Sequence, residues 1–148
     1  MKLTIGSDHG AVELKETVKK VLAEYPDIEV NDVGTFGTES VDYPDIAEKV
    51  CAEITGGKSE RGIVLCGTGI GISIAANKIK GIRCALCNDV FSAKKSREHN
   101  NANVLAMGGR VLGFGPAEEI TRAWIETPFS NDERHNRRIG KITKLDDR

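Results

Sequence analysis

The sequence predicts an α/β fold in which a five-stranded parallel sheet carries helices on both faces and an extra helix ends the chain. Three observations predict it. Stretches of β-rich and helix-periodic residues alternate from the first residues onward. One predicted strand, Gly62-Ile63-Val64-Leu65-Cys66, is apolar without a break, as a strand covered on both faces should be. No linker, repeat or low-complexity stretch interrupts the alternation, so residues 1–148 read as a single domain.

Taken in order, Lys2 to Ser7 is a short β-rich run, and Val12, Leu14, Val18, Val21 and Leu22 then follow helical spacing up to Tyr25-Pro26. Ile28 to Val33 is the second strand, ended by Gly34. Tyr43-Pro44 opens a helix with Ile46, Ala47, Val50 and Ile54 on its apolar side, and Gly56-Gly57 stops it. After the strand ending at Cys66 comes a glycine-rich turn and a helix through Ile74, Ala75 and Ala76. Ile82 to Cys87 reads as strand four, Ser92 to His99 as helix, Asn103 to Met107 as strand five, and Pro116 to Ile125 as helix. In the tail, Ile139, Ile142 and Leu145 recur every three residues, which predicts a last helix with a packing face.

Composition narrows the function classes. The formal net charge is −1, against nucleic acid or an anionic membrane as main partner, since both need a basic surplus. The opening Met1-Lys2-Leu3-Thr4-Ile5-Gly6-Ser7-Asp8 does not read as a signal peptide, and the longest uncharged run, Gly62 to Ala76, is too short to span a bilayer. A cytoplasmic location is expected. Four cysteines in such a chain do not suggest a disulfide framework. Cys84 and Cys87 form a C-x-x-C that invites a redox or zinc reading. On a strand, residues three apart point to opposite faces, so these are expected to be packed thiols, and Cys51 helix filling.

In open parallel sheets, ligands bind beyond the carboxyl ends of the strands. That rule singles out Cys66-Gly67-Thr68-Gly69-Ile70-Gly71, which joins a buried strand to a helix. Its glycines let backbone N–H groups approach an anion, and the helix start adds a favourable dipole. Familiar anion loops do not fit. The dinucleotide fingerprint needs a glycine, and the cysteine-phosphatase loop an arginine, where Ile72 stands, and no Gly-Lys-Ser/Thr ending of a nucleotide loop is present. A thiol at the end of a strand, facing a helix start, is poised to ionise and to act as nucleophile or base. The alternative is a buried cysteine that merely finishes a strand.

Other polar residues cluster at element ends. Asp8-His9 follows strand one, although Asp8 could equally cap the next helix. His99, before Asn100, ends the fourth helix, where the dipole favours its charged form. Arg134 and Arg138 share a helix face and can grip a phosphate, and Arg110, after Gly108-Gly109, is a third candidate donor. No His/Asp/Glu cluster has metal-ligand spacing, so neither a metal nor a cofactor is expected.

These blocks, together with Asp42-Tyr43-Pro44, Ala75-Ala76-Asn77-Lys78 and Arg97-Glu98-His99-Asn100-Asn101, resemble the ribose-5-phosphate isomerase B and galactose-6-phosphate isomerase family over essentially the whole chain. The resemblance implies a three-layer αβα Rossmann-like sandwich and a homodimer, sometimes paired further, with active sites shared between subunits. It implies interconversion of D-ribose 5-phosphate and D-ribulose 5-phosphate, a step of the non-oxidative pentose phosphate pathway. By motif match, Cys66 would remove the C2 proton, while Thr68 and the amides of Gly67, Gly69, Ile70 and Gly71 would hold the enediolate. His99 would assist ring opening, Asn100 would reach the sugar from the second subunit, and Asp8 would move a proton between O1 and O2. Tyr43 would line the pocket, and His9, Arg110, Arg134 and Arg138 would bind phosphate. A six-carbon substrate such as galactose 6-phosphate or allose 6-phosphate, a non-catalytic phosphosugar-binding domain, and thiol redox chemistry at Cys84 and Cys87 are the alternatives.

Overall fold

A computed structural model describes residues 1–147. The strands are β1 (Lys2–Ser7), β2 (Glu29–Asp32), β3 (Arg61–Cys66), β4 (Cys84–Leu86) and β5 (Val104–Gly108). The helices are α1 (Val12–Leu22), α2 (Tyr43–Thr55), α3 (Ile70–Asn77), α4 (Val90–Glu98), α5 (Phe114–Glu126) and α6 (Glu133–Leu145), with a 3₁₀ turn at His9–Ala11. All four strand pairings are parallel, in the order β2-β1-β3-β5-β4, so the fold is an αβα Rossmann-like sandwich.

Alternation along the central strands divides the core. Leu3, Ile5, Ile63, Leu65, Leu105 and Met107 face one layer, where Leu14, Val18 and Leu22 of α1 and Ile120 and Trp124 of α5 cover them. Val64, Cys66, Val104 and Ala106 face the other, under Ile46, Val50 and Cys51 of α2 and Ile72 and Ala76 of α3. Every one of these side chains is below 5% exposed. By the area burial of apolar side chains, each valine, leucine, isoleucine or methionine among them contributes about 1.5–3 kcal/mol.

Two elements depart from the sequence expectation. Strand four shrinks from Ile82–Cys87 to three residues because it is an edge strand, half-buried along its length, with only β5 to pair with. Helix α6 does form, but its expected packing face stays open: Ile142 is 42% and Leu145 51% exposed. Its first turn is held through buried His135. Its far end is held by Asp146, which accepts from the Gly81 amide at 3.0 Å, and by a Lys80–Asp147 ion pair. Between α6 and β4 runs a groove of about 540 Å³, lined by Asn77, Ile82, Cys84, Ala102, Ile142 and Leu145, among others. No helix among the described residues is long and apolar enough to cross a membrane.

Candidate active site

The carboxyl ends of β1, β3 and β5 meet at Asp8, Cys66 and Gly108. The turn after β3 is pinned by backbone bonds on both sides: the amide of Gly109 donates to the Cys66 carbonyl and that of Arg110 to the Gly67 carbonyl, each at 2.9 Å. Within the turn, the Gly69 amide donates to the Cys66 sulfur at 3.1 Å, and the Ile70 amide donates to Thr68 Oγ1 at 3.1 Å, which leaves the threonine hydroxyl hydrogen free. The amides of Gly67, Thr68 and Gly71 donate to no acceptor among the described residues. They lie at the start of α3, where orphan N–H groups and the dipole favour negative charge.

Glycine is required here for two separate reasons. Gly69 adopts φ +78, and a Cβ on it would stand 2.7 Å from Leu86 Cδ1 and 2.8 Å from the carbonyl carbon of Met107. At Gly71 the reason is close approach: a Cβ would stand 2.6 Å from the Tyr43 ring, which lies against the loop from the start of α2. Arg110, exposed itself, brings its Nη1 over Gly67.

Asp8 is 7% exposed and takes the capping role: its Oδ1 accepts from the Gly10 amide at 2.9 Å. Gly10 in turn lies against Gly67, so the cap sits beside the cysteine loop. His9 Nδ1 accepts from the Val41 amide at 3.2 Å. With Nδ1 an acceptor, Nε2 carries the ring proton and can donate to an anion. A cleft of about 400 Å³ opens beside His9, Gly10 and Gly109, edged by Phe36 and Phe114.

The remaining predicted residues gather elsewhere. Helix α4 starts after the carboxyl end of β4 and runs back, so His99 and Asn100 lie before the amino end of β5. Arg83, which leads into β4, donates from Nε to the carbonyls of Asn100 and Asn101 at 3.1 and 3.2 Å, which fixes that placement. The His99 ring stacks on that of His135 with centroids 4.2 Å apart, and α6 carries Arg134 and Arg138 on either side of His135. Five residues of β5, at ~3.3 Å each, put roughly 16 Å of strand between this cluster and the cysteine loop. One chain therefore carries the predicted residues as two separate clusters, candidate half-sites at opposite edges of its sheet.

Two residues of consequence do not stand out in the sequence. Lys15 is fully buried on α1, where it donates to Asp32 Oδ1 at 2.8 Å and to the Thr35 carbonyl at 2.7 Å. Asp32 Oδ1 also accepts from the Gly34 amide, and Ser7 pairs with Gly34 and Thr35 through its backbone. The lysine thus anchors the loop after β2 next to Asp8. Burial pushes the Asp32 carboxyl up, but hydrogen bonds from Lys15, Gly34 and Lys19 outweigh it and hold the group below its ordinary value. The second is His135, whose Nδ1 bonds Ser130 Oγ at 2.8 Å. Burial lowers its pKa, and the neighbouring His99 and Arg134 add to the effect.

The other cysteines are free thiols. Burial pushes Cys51 up to about 12 and Cys87 up to about 11, and raises Cys84 as well. Cys84 and Cys87 face opposite core layers.

Known proteins resemble the chain over nearly its whole length. Residues 3–142 match the family model described as Ribose/Galactose Isomerase. Ribose-5-phosphate isomerase B of Escherichia coli is 43% identical over 147 residues, covering 99% of this chain and 97% of that protein. The D-erythrulose-4-phosphate isomerase of Pectobacterium atrosepticum is 44% identical over 130 residues, 87% of this chain and 85% of that one. A solved ribose-5-phosphate isomerase B structure from Clostridium thermocellum superposes with a TM-score of 0.95 at 49% identity, covering 99% and 98% of the two chains. On the strength of a match along nearly its whole length, the chain belongs to the ribose/galactose isomerase family and is a sugar-phosphate isomerase.

Proposed function

We propose that the chain interconverts D-ribose 5-phosphate and D-ribulose 5-phosphate through an enediolate, with Cys66 as the base, no metal in the chemistry, and a homodimer as the working unit. The observation that carries this reading is the sulfur of Cys66 accepting from the Gly69 amide at 3.1 Å beside three unengaged amides at a helix start. The amide fixes the sulfur beside the loop, and as a thiolate that sulfur can take the C2 proton of an open-chain sugar. The electron pair of that C–H bond becomes the enediolate, whose oxygens need donors already in place. The amides of Gly67, Thr68 and Gly71 and the Thr68 hydroxyl provide them, and preorganised donors of this kind usually contribute more to such catalysis than any other effect. Asp8 carries a proton from one sugar oxygen to the other, and Cys66 returns its proton to C1.

Ring opening and phosphate binding draw on the second half-site. His99 and Asn100 of a second copy assist opening and contact the sugar. Arg134 and Arg138 of that copy join His9 and Arg110 on the phosphate, and Tyr43 closes the side of the pocket. Support for a second copy comes from the distance between the half-sites in one chain, and from the apolar surface left open: the groove under α6, with Ile70, Ile74 and Phe91 all more than half exposed. The reaction belongs to the non-oxidative pentose phosphate pathway, and a cytoplasmic location fits it.

The test is kcat/KM for a panel of four-, five- and six-carbon aldose phosphates, with and without chelator. Highest efficiency on ribose 5-phosphate that survives chelation is the expected result. Preference for erythrose 4-phosphate or galactose 6-phosphate would reassign the substrate while keeping the chemistry.

A further inference from the structure

Three arginines converge at the amino edge of the sheet, outside the residues that the isomerase reaction uses. Arg61 begins β3, Arg83 leads into β4 and Arg97 lies in the last turn of α4. With Glu60, Asn101 and Asn103 they line a depression of about 300 Å³. Arg97 is only 5% exposed, and the other two are half-buried.

Each guanidinium spends part of its donors on the protein. Arg61 Nη1 donates to the Trp124 carbonyl at 3.2 Å. Arg83 uses Nε and Nη2 on the Asn101 carbonyl. Arg97 Nη1 donates to Asn101 Oδ1 and the Ala102 carbonyl, and its Nε to the Thr127 carbonyl. One terminal nitrogen of each, Arg61 Nη2, Arg83 Nη1 and Arg97 Nη2, has no acceptor among the described residues. No ion pair reaches any of the three there either, although exposed lysines elsewhere find carboxylates. Burial lowers all three from their ordinary value. Arg97 falls to about 10, with the charges of Arg61 and Arg83 adding to the effect. Glu60 and Asp146 act in the opposite sense on Arg61 and Arg83, but from beyond ion-pair distance. The Trp124 ring, 5.3 Å from Arg61 and 5.9 Å from Arg97, offsets only part of the repulsion.

We propose that this depression binds a small oxyanion, a phosphate group either free or carried on a compact metabolite, at a site separate from the one that holds the substrate. Terminal nitrogens of three planar forks suit the several oxygens of a phosphate, and the depression sits at the small end of ligand sites, too small for a nucleotide. Occupancy bears on the reaction through the chain: Arg83 and Arg97 also hold the Asn100–Ala102 segment, next to His99.

Side-chain Nε–H NMR of the full chain, titrated with inorganic phosphate and, in a second arm, with glycerol 3-phosphate at constant ionic strength, tests this. Saturable shifts of the Arg61, Arg83 and Arg97 signals are expected, with Kd of about 1 mM or tighter. Arg61→Gln should abolish those at Arg83 and Arg97 while shifts at Arg110 persist. Arg61→Lys, which keeps the charge and loses the fork, should weaken them several-fold and guards against misfolding of the first variant. Saturation by inorganic phosphate alone identifies the free ion as ligand, and saturation by the ester identifies a phosphorylated metabolite. Shifts that stay linear to about 10 mM in both arms, or that survive Arg61→Gln unchanged, overturn the proposal.

Discussion

His99 and His135 stack with their rings 4.2 Å apart at the edge of the sheet opposite Cys66. If catalysis needs both edges, one functional site is built from two chains. Cys66→Ala and His99→Asn should each be nearly inactive alone. Unfolded together in equal amounts and refolded, they should recover about a quarter of wild-type activity, because half of the dimers pair unlike chains and each of those has one intact site. No recovery, with mixed dimers verified by mass, would place all catalytic groups within one chain.

Cys66→Ala by itself should lower kcat by at least ~10²–10⁴-fold, the usual worth of a positioned base, while substrate binding measured by calorimetry persists. Near-wild-type turnover would remove the sulfur from the proton transfer. Loss of deuterium exchange at substrate C2 should parallel the loss of turnover.

Losing Arg134 and Arg138 together should raise KM roughly 10²-fold, the scale of two charge-assisted hydrogen bonds to phosphate, with a smaller change in kcat. Both lie on an exposed stretch of α6, so thermal stability should hardly move. Steady-state kinetics and a melting curve on the same sample separate binding from folding.

Gly69→Ala forces a side chain into φ +78 against Leu86 and the Met107 backbone. The conformation alone costs about 1–2 kcal/mol, and the collision adds to it. The variant should melt several degrees lower and lose turnover disproportionately, because its amide can no longer hold the Cys66 sulfur. Calorimetry and kinetics check the two effects separately.

The Asp32 carboxyl is held below its ordinary value in the folded chain. Stability from its pairing with Lys15 and Lys19 is therefore complete above the unfolded pKa of about 4 and lost as pH falls below it. Asp32→Asn should be less stable at neutral pH and show a flatter decline between about pH 4 and 2. Urea midpoints across that range measure the slope. An unchanged slope would deny the carboxylate that role.

Much of this molecule is legible in its residues, for identifiable reasons. β1 and β3 are central strands with long apolar runs, and the glycine turn after Cys66 marks itself by composition. β4 is shorter than its apolar run suggests because it is an edge strand with one partner: the ladder covers Cys84 to Leu86, and beyond it Cys87 keeps a single bond, from its amide to the Ala106 carbonyl at 3.2 Å. Lys15 does not stand out because helical periodicity assigns a lysine to solvent, and its burial depends on Asp32, seventeen residues away and across the loop after β2. The separation of His99 from Cys66 follows from the alternation itself, since a helix that leaves the carboxyl end of one parallel strand must end at the amino end of the next. The recurrence of Ile139, Ile142 and Leu145 marks one side of α6 as apolar, yet among the described residues nothing covers Ile142 and Leu145 fully.

The back wall of the cysteine loop is made almost entirely of main chain. Gly108 lies so close to Thr68 that a methyl group there would stand 2.5 Å from its carbonyl, and Gly69 is similarly hemmed in by Met107. Such a wall cannot be reshaped one side chain at a time. Under the proposed function, a change of preferred sugar length falls to the opposite bank, the exposed segment from Phe36 to Ser40 and the helix that carries Arg134, while the chemical engine stays untouched.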